Sequence, residues 1–252
     1  MPVKKSVCIE MAYPELKFYD RIRKVAEIGY PAVEFWGWTN KNMKLLKESV
    51  KEAKILVAAF CGNSGGSMVD KDNIDNFQSG LKESINIARE LECKTLITTV
   101  GEIVNTQGRL EQREILYDNL CRAADILEKE KITLVLEPLN VLVDHPTEFL
   151  SSSKESFNLI RLVNSSKIKV LYDIYHQQIT EGNIIDTICR NISLIGHFHS
   201  AGVPGRNELY KGELNYSEIL KKIESLDYDG YFGLEFIPIE PCDLSLTKIQ
   251  QM

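Results

Sequence analysis

The chain has 252 residues, 44% hydrophobic and 26% charged with 15 Gly and 8 Pro, a globular profile that excludes disordered, fibrous and collagen-like classes. Its formal net charge is −6 with lysines spread along the chain, so the basic face that a nucleic-acid partner requires is missing. Six scattered cysteines without a CxxC pair, a start (MPVKKSVCIE) without a signal-type apolar run, and no run of the roughly 18 apolar residues that span a bilayer lead us to expect a cytoplasmic protein with no membrane and no nucleic-acid partner.

Short β-rich apolar runs recur in chain order, each followed by a segment of helical periodicity. SVCIEM (6–11) precedes a helix over 15–29 that Gly29 can close, and AVEFW (32–36) precedes one over 39–53 that Thr39 or Asn40 can cap. ILVAAF (55–60) leads to 72–92, and TLITTV (95–100) to 108–130. TLVLE (133–137) is followed by 153–164, with Ser151 to Ser153 as capping candidates, and KVLYD (169–173) by 183–191. LIGHFH (194–199) leads to 215–226, and YFGLEF (231–236) ends the series. No linker or low-complexity tract interrupts these βα units, which predicts one α/β domain over 1–252, a (β/α)8 TIM barrel, because eight parallel strands close without leaving an edge. A doubly wound open sheet is the competing architecture, but no GxGxxG or Walker-type glycine loop follows any strand.

In a parallel barrel the strand C-termini open on one face, where active sites are built. Glu137, Asp173, His199 and Glu235 fall at the ends of strands five to eight. Neighbouring strands run about 4.8 Å apart, so the four side chains can converge on one point. Three carboxylates and an imidazole suit a divalent metal, Mn²⁺ foremost with Mg²⁺ or Co²⁺ as alternatives, and the lack of a thiolate argues against structural zinc. The plain alternative is four unrelated acids and bases near solvent, which four successive apolar strands ending this way argue against. His197 shares the strand face of His199 and reads equally well as a hydrogen-bonded interior residue. His176 falls on the loop or first helical turn after Asp173, facing the mouth, where it binds a substrate oxygen or merely caps a surface turn. The loop SAGVPGRNELYKGELNY carries three glycines, a proline and Arg206, whose planar fork suits a substrate hydroxyl, carboxylate or carbonyl, although a loop arginine is as often simply solvated.

LEPLN (136–140), YDIYHQQITEGN (172–183), HFHSAGVPGRNELYKGELNY (197–216) and GLEF (233–236) resemble the hydroxypyruvate isomerase family. That family lies within the xylose-isomerase-like barrel superfamily, which also holds ketose 3-epimerases and endonuclease IV. With IGYPAVEFWGW near the N-terminus, the resemblance covers nearly the whole chain. It implies that Glu137 and Glu235 are both metal ligands and the catalytic acid/base pair, that Asp173 and His199 complete the metal site, and that His176 and Arg206 bind substrate. Two departures stand out. His199 occupies a position where hydroxypyruvate isomerases often carry glutamine and ketose epimerases a histidine. After LEPLN, VLVDHPTEF replaces an RD-type continuation, with Val143 where the epimerases place a substrate-binding glutamate.

The leading expectation is a metal-dependent isomerase of a small hydroxycarbonyl compound, hydroxypyruvate interconverting with tartronate semialdehyde, by proton transfer through a metal-stabilised enediolate. The same chemistry serves a ketose 3-epimerase or isomerase on a free sugar, or a lyase or dehydratase when a leaving group is present. A DNA-repair endonuclease and a metal-free binding subunit are the readings from other classes. The lack of a phosphate cradle favours an unphosphorylated substrate. The outer helices and the tail IPIEPCDLSLTKIQQM either make a homo-oligomer contact or pack on the barrel itself.

Overall fold

The computed structural model describes residues 2–62 and 66–252. Eight parallel strands close into a barrel in chain order, the last pairing with the first. They are β1 (Lys4–Cys8), β2 (Ala32–Phe35), β3 (Leu56–Cys61), β4 (Thr95–Thr99), β5 (Thr133–Glu137), β6 (Ile168–Asp173), β7 (Ile195–Ser200) and β8 (Tyr231–Leu234). The helices are α1 (Phe18–Ile28), α2 (Met43–Ala53), α3 (Ile74–Glu90), α4 (Arg109–Leu127), α5 (Ser153–Val163), α6 (Ile174–Thr180), α7 (Ile184–Asn191), α8 (Tyr216–Glu224) and α9 (Cys242–Gln250). The architecture is the closed (β/α)8 barrel that the apolar runs predict, and the open sheet is excluded.

Local chemistry sets most boundaries. Gly29 ends α1 with φ of 99°, a left-handed conformation that glycine adopts without steric cost. Asn42, and not Thr39 or Asn40, caps α2 by accepting from the Leu45 N–H at 3.2 Å, which starts that helix later than its apolar pattern suggests. Ser152 caps α5 in the same way through the Glu155 N–H. Strand β1 ends at Cys8 and not at residue 11. There the Ala12 N–H turns back to the Cys8 carbonyl, and Arg21 from α1 donates to the carbonyls of Ile9 and Glu10. Two helices lie outside the expected set, α6 and α9. In α9, Leu246 and Ile249 are fully buried, the Tyr30 hydroxyl donates to the Leu246 carbonyl, and Cys242 Sγ accepts from the Tyr13 N–H. This part of the tail therefore packs on the barrel.

The core has two parts. The larger lies between strands and helices, where Phe35 and Phe60 stack with ring centroids 5.2 Å apart. The smaller consists of Ala59, Ile97, Val135 and Leu171, from β3 to β6. Side chains along a strand return to the same face every second residue, so the position above Val135 is Glu137, above Leu171 is Asp173, and above His197 is His199. An apolar floor thus gives way to polar residues at the strand ends. All six cysteines are free, and no helix among the described residues is long and apolar enough to cross a membrane.

Candidate active site

Glu137, Asp173, His199 and Glu235 are all buried, and one donor atom from each lies within 4.8 Å of the others. His199 Nδ1 stands 3.2 Å from Glu137 Oε1 and 3.4 Å from Glu235 Oε2. Asp173 ends β6 and directly caps α6: its Oδ1 accepts from the N–H groups of Tyr175 (2.8 Å) and His176 (3.4 Å). Its other oxygen is left for the site, 3.5 Å from His176 Nε2 and 4.0 Å from the Arg206 guanidinium. Glu235 lies one residue past β8, its N–H still bound to the Ser200 carbonyl. Its carboxylate is held from two sides, by Trp36 Nε1 at 2.7 Å and by Arg206.

This is a concentration of negative charge out of water, and the ionisation equilibria respond. Burial alone would lower the His199 imidazole, but Glu235, Glu34 and Glu137 outweigh it and hold it well above the usual range. Burial disfavours the Glu235 carboxylate, yet His199 and Arg206 beside it keep it well below the usual range. At Asp173 burial prevails over Arg206 and His199 and raises the carboxyl. The donor chemistry fits a hard divalent cation: three carboxylates and an imidazole whose Nδ1 is turned toward two of them.

A cavity of about 300 Å³ opens above the cluster, with Trp36, Thr99, Leu139, His145, His176 and Arg206 in its walls. A larger groove, about 860 Å³ along α2, contains none of the strand-end residues. His176 sits in the first turn of α6 and is buried. Asn140 orients it. The Asn140 Oδ1 accepts from the Val143 and Asp144 N–H groups, so its Nδ2 donates to Asp144 at 2.7 Å and faces His176 Nδ1 at 2.7 Å. The acceptor on the imidazole is then Nδ1, and Nε2–H points toward Asp173. Burial, offset only in part by Glu137, pushes His176 down to about 4, so the ring is neutral near pH 7.

The six residues read from the sequence as metal ligands or substrate binders meet at one place. Arg206 arrives with its fork already engaged by Glu235 and its guanidinium carbon 5.2 Å from the Tyr175 ring centre. His197 is an interior residue, 2.7 Å from Glu34. Sequence reasoning missed Glu34, Trp36, Asn140 and His145. Glu34 carried a signal, being a carboxylate inside the apolar run AVEFW.

The model of the xylose isomerase-like TIM barrel family matches residues 22–245. A hydroxypyruvate isomerase from Escherichia coli (strain K12) is 31% identical over 240 residues, covering 92% of this chain and 93% of that protein. A 2-oxo-tetronate isomerase from Pectobacterium atrosepticum is 27% identical over 237 residues, covering 91% and 90%. A crystal structure described as an AP endonuclease of family 2 from Brucella melitensis superposes with a TM-score of 0.94 at 27% identity, covering 100% of this chain and 99% of that one. The chain belongs to the xylose isomerase-like TIM-barrel family, and within it to the family of proteins that includes the Escherichia coli hydroxypyruvate isomerase.

Proposed function

We propose that this protein is a divalent-metal-dependent isomerase of a small hydroxycarbonyl compound, with hydroxypyruvate and tartronate semialdehyde as the interconverting pair. The carrying observation is the convergence of Glu137, Asp173, His199 and Glu235, the first, third and fourth of which line the cavity. Relatives named as isomerases at 27–31% identity over nearly the whole chain support it. The acidic net charge supports a small molecule over a nucleic acid, and the six free cysteines suit a reducing cytoplasm.

Glu137, Asp173, His199 and Glu235 would hold the ion, Mn²⁺ foremost with Mg²⁺ or Co²⁺ as alternatives. When bound, it would supply Lewis-acid polarisation of the substrate carbonyl. The remaining steps belong to the chain. One of Glu137 and Glu235 removes the proton from the carbon that bears the hydroxyl, and that electron pair forms the double bond of an enediol(ate). The proton is then delivered to the former carbonyl carbon while the hydroxyl proton transfers between the two oxygens, which converts hydroxypyruvate to tartronate semialdehyde with no change in composition. Trp36 and Arg206 fix the Glu235 carboxylate in one orientation. His176 Nε2–H and the free donors of Arg206 bind substrate oxygens.

A ketose 3-epimerase is the second reading, favoured by His199 in the ligand set and by two carboxylates within 3.4 Å of its Nδ1. Returning the proton to the opposite face of the same carbon requires two bases, and elimination of a β-substituent would make the same site a lyase. Metal-stripped protein reloaded with Mn²⁺ should be offered hydroxypyruvate, a 2-oxo-tetronate and D-psicose in parallel. The proposal predicts isomerisation of a keto acid that chelator abolishes. Turnover of the sugar alone would establish the epimerase reading, and inert substrates throughout would sink both.

A further inference from the structure

Among the described residues, three buried carboxylates, Glu34, Glu148 and Glu208, have no role in the mechanism, and of these Glu34 faces the histidine of the ligand set. Glu34, in β2, is 1% exposed and lies inside the barrel beside the strand that carries His197 and His199. We propose that Glu34 is a positioning residue that receives the Nε2–H of His199 and thereby fixes Nδ1 as the nitrogen offered to the divalent ion. The inference rests on the metal-site reading above.

Three observations carry it. First, one Glu34 oxygen is anchored: Oε2 is 2.7 Å from His197 Nε2 and accepts from the Ser6 hydroxyl at 3.3 Å. The other, Oε1, faces His199 Nε2 at 3.6 Å, and these two atoms are both buried without a hydrogen-bond partner. Second, the opposite nitrogen of the same ring, Nδ1, is the one next to Glu137 and Glu235. An imidazole that ligates a metal is neutral and carries one proton, and a proton directed at Glu34 leaves the lone pair on Nδ1, facing the other ligands. Third, the strand residue paired with His199 is Gly233. A Cβ there would lie 2.2 Å from Glu34 Oε1 and 2.7 Å from His199 Cδ2. Glycine weakens a strand, and here it leaves the room that the Glu34 to His199 approach occupies.

The HxH spacing of β7 is explained by the same arrangement. Two residues apart on one strand, both imidazoles face Glu34, with ring centroids 5.2 Å from each other. His197 secures the carboxylate and His199 is secured by it. Glu34, His197 and His199 also bring donor atoms within 4.8 Å of one another, but the 2.7 Å contact between Glu34 and His197 consumes the donors a second cation would need.

The test is calorimetric titration of Mn²⁺ into chelator-stripped full-length protein, wild type against Glu34→Gln, with thermal melting of each as a control for folding. Glutamine keeps the shape but presents an amide N–H₂ or a weaker acceptor to the imidazole, and a roughly 10–100-fold loss of affinity is expected. Gly233→Ala, which leaves every carboxylate in place, should weaken Mn²⁺ in the same direction. An independent readout needs no variant: ¹⁵N spectra of histidine-labelled wild type loaded with diamagnetic Zn²⁺, in a chain with only 4 histidines. His199 Nε2 should keep its proton while the Nδ1 resonance moves on metal addition. Unchanged affinity in Glu34→Gln, or a metal-bound Nε2 in wild type, overturns the inference alone. A wild-type chain that binds no Mn²⁺ overturns the metal-site reading together with it.

Discussion

Glu148→Gln should stabilise the metal-free protein in alkaline solution and leave it nearly unchanged in acid. Glu148 is 7% exposed, and its Oε1 accepts from the Gly101 N–H at 2.9 Å. Burial raises its carboxyl from 4.5 to about 7, against the pull of the Gly101 and Val100 N–H groups and with help from Glu137 and Glu102. A carboxyl raised on folding contributes stability that is complete below its unfolded value and is lost as pH climbs through its folded value. The interval from 4.5 to about 7 is worth about 3 kcal/mol, lost mostly between those two values and nearly complete by pH 7. Glutamine retains the oxygen for Gly101 and cannot ionise, so it escapes the loss. Near 250 residues, 1 kcal/mol moves the melting temperature by about 2–4 °C, so the variant should melt about 6–12 °C higher at pH 9. At pH 5, just above the unfolded value, the gap should shrink to about 1 kcal/mol, or about 2–4 °C. Calorimetric scans in EDTA from pH 5 to 9 provide the comparison. A difference that stays constant over that range would show that Glu148 is ionised throughout, and the burial argument would fall.

Two further substitutions probe the cavity wall. Arg206→Lys keeps the charge but loses the fork that holds Glu235, and kcat/KM should fall about 10²–10³-fold while Mn²⁺ affinity changes little. Equal loss of metal would instead mark Arg206 as a support of the ligand set. Asn140→Ala removes the side-chain donor that faces His176 Nδ1 at 2.7 Å and leaves only the longer 3.3 Å contact from the backbone N–H of residue 140, and a rise of about tenfold in KM is expected, the equivalent of one lost buried hydrogen bond. Full activity in that variant would mean that the His176 ring needs no such orientation.

The barrel was legible because strands covered on both faces read as near-continuous apolar runs, and eight of them alternate with longer amphipathic segments. The metal-ligand candidates were legible for the complementary reason, since a charged residue ending such a run has the open face of a barrel to occupy. What escaped depends on distant partners. The run continues through Ile9 and Met11, but Arg21 draws the chain out of the strand. Helix α9 follows two prolines, Pro238 and Pro241, and buries only a short stripe of Cys242, Ser245, Leu246 and Ile249, too little apolar periodicity to announce itself. Glu34 reads as a flaw in an apolar strand until His197, 163 residues away in sequence, is placed beside it. Asn140 and His176, 36 residues apart, likewise show their pairing only when β5 and β6 are adjacent.

On the proposed mechanism, metal and the strand-end carboxylates together move a proton next to a carbonyl. Proton NMR in D₂O follows this directly, with Mn²⁺-activated protein, hydroxypyruvate as substrate and the metal removed by chelator before spectra are taken. Loss of the C3 proton signal is expected in wild type, with none in chelator-treated protein and none in a variant that combines Glu137→Gln with Glu235→Gln. Exchange that persists without metal, or that survives in the double variant, would contradict the mechanism.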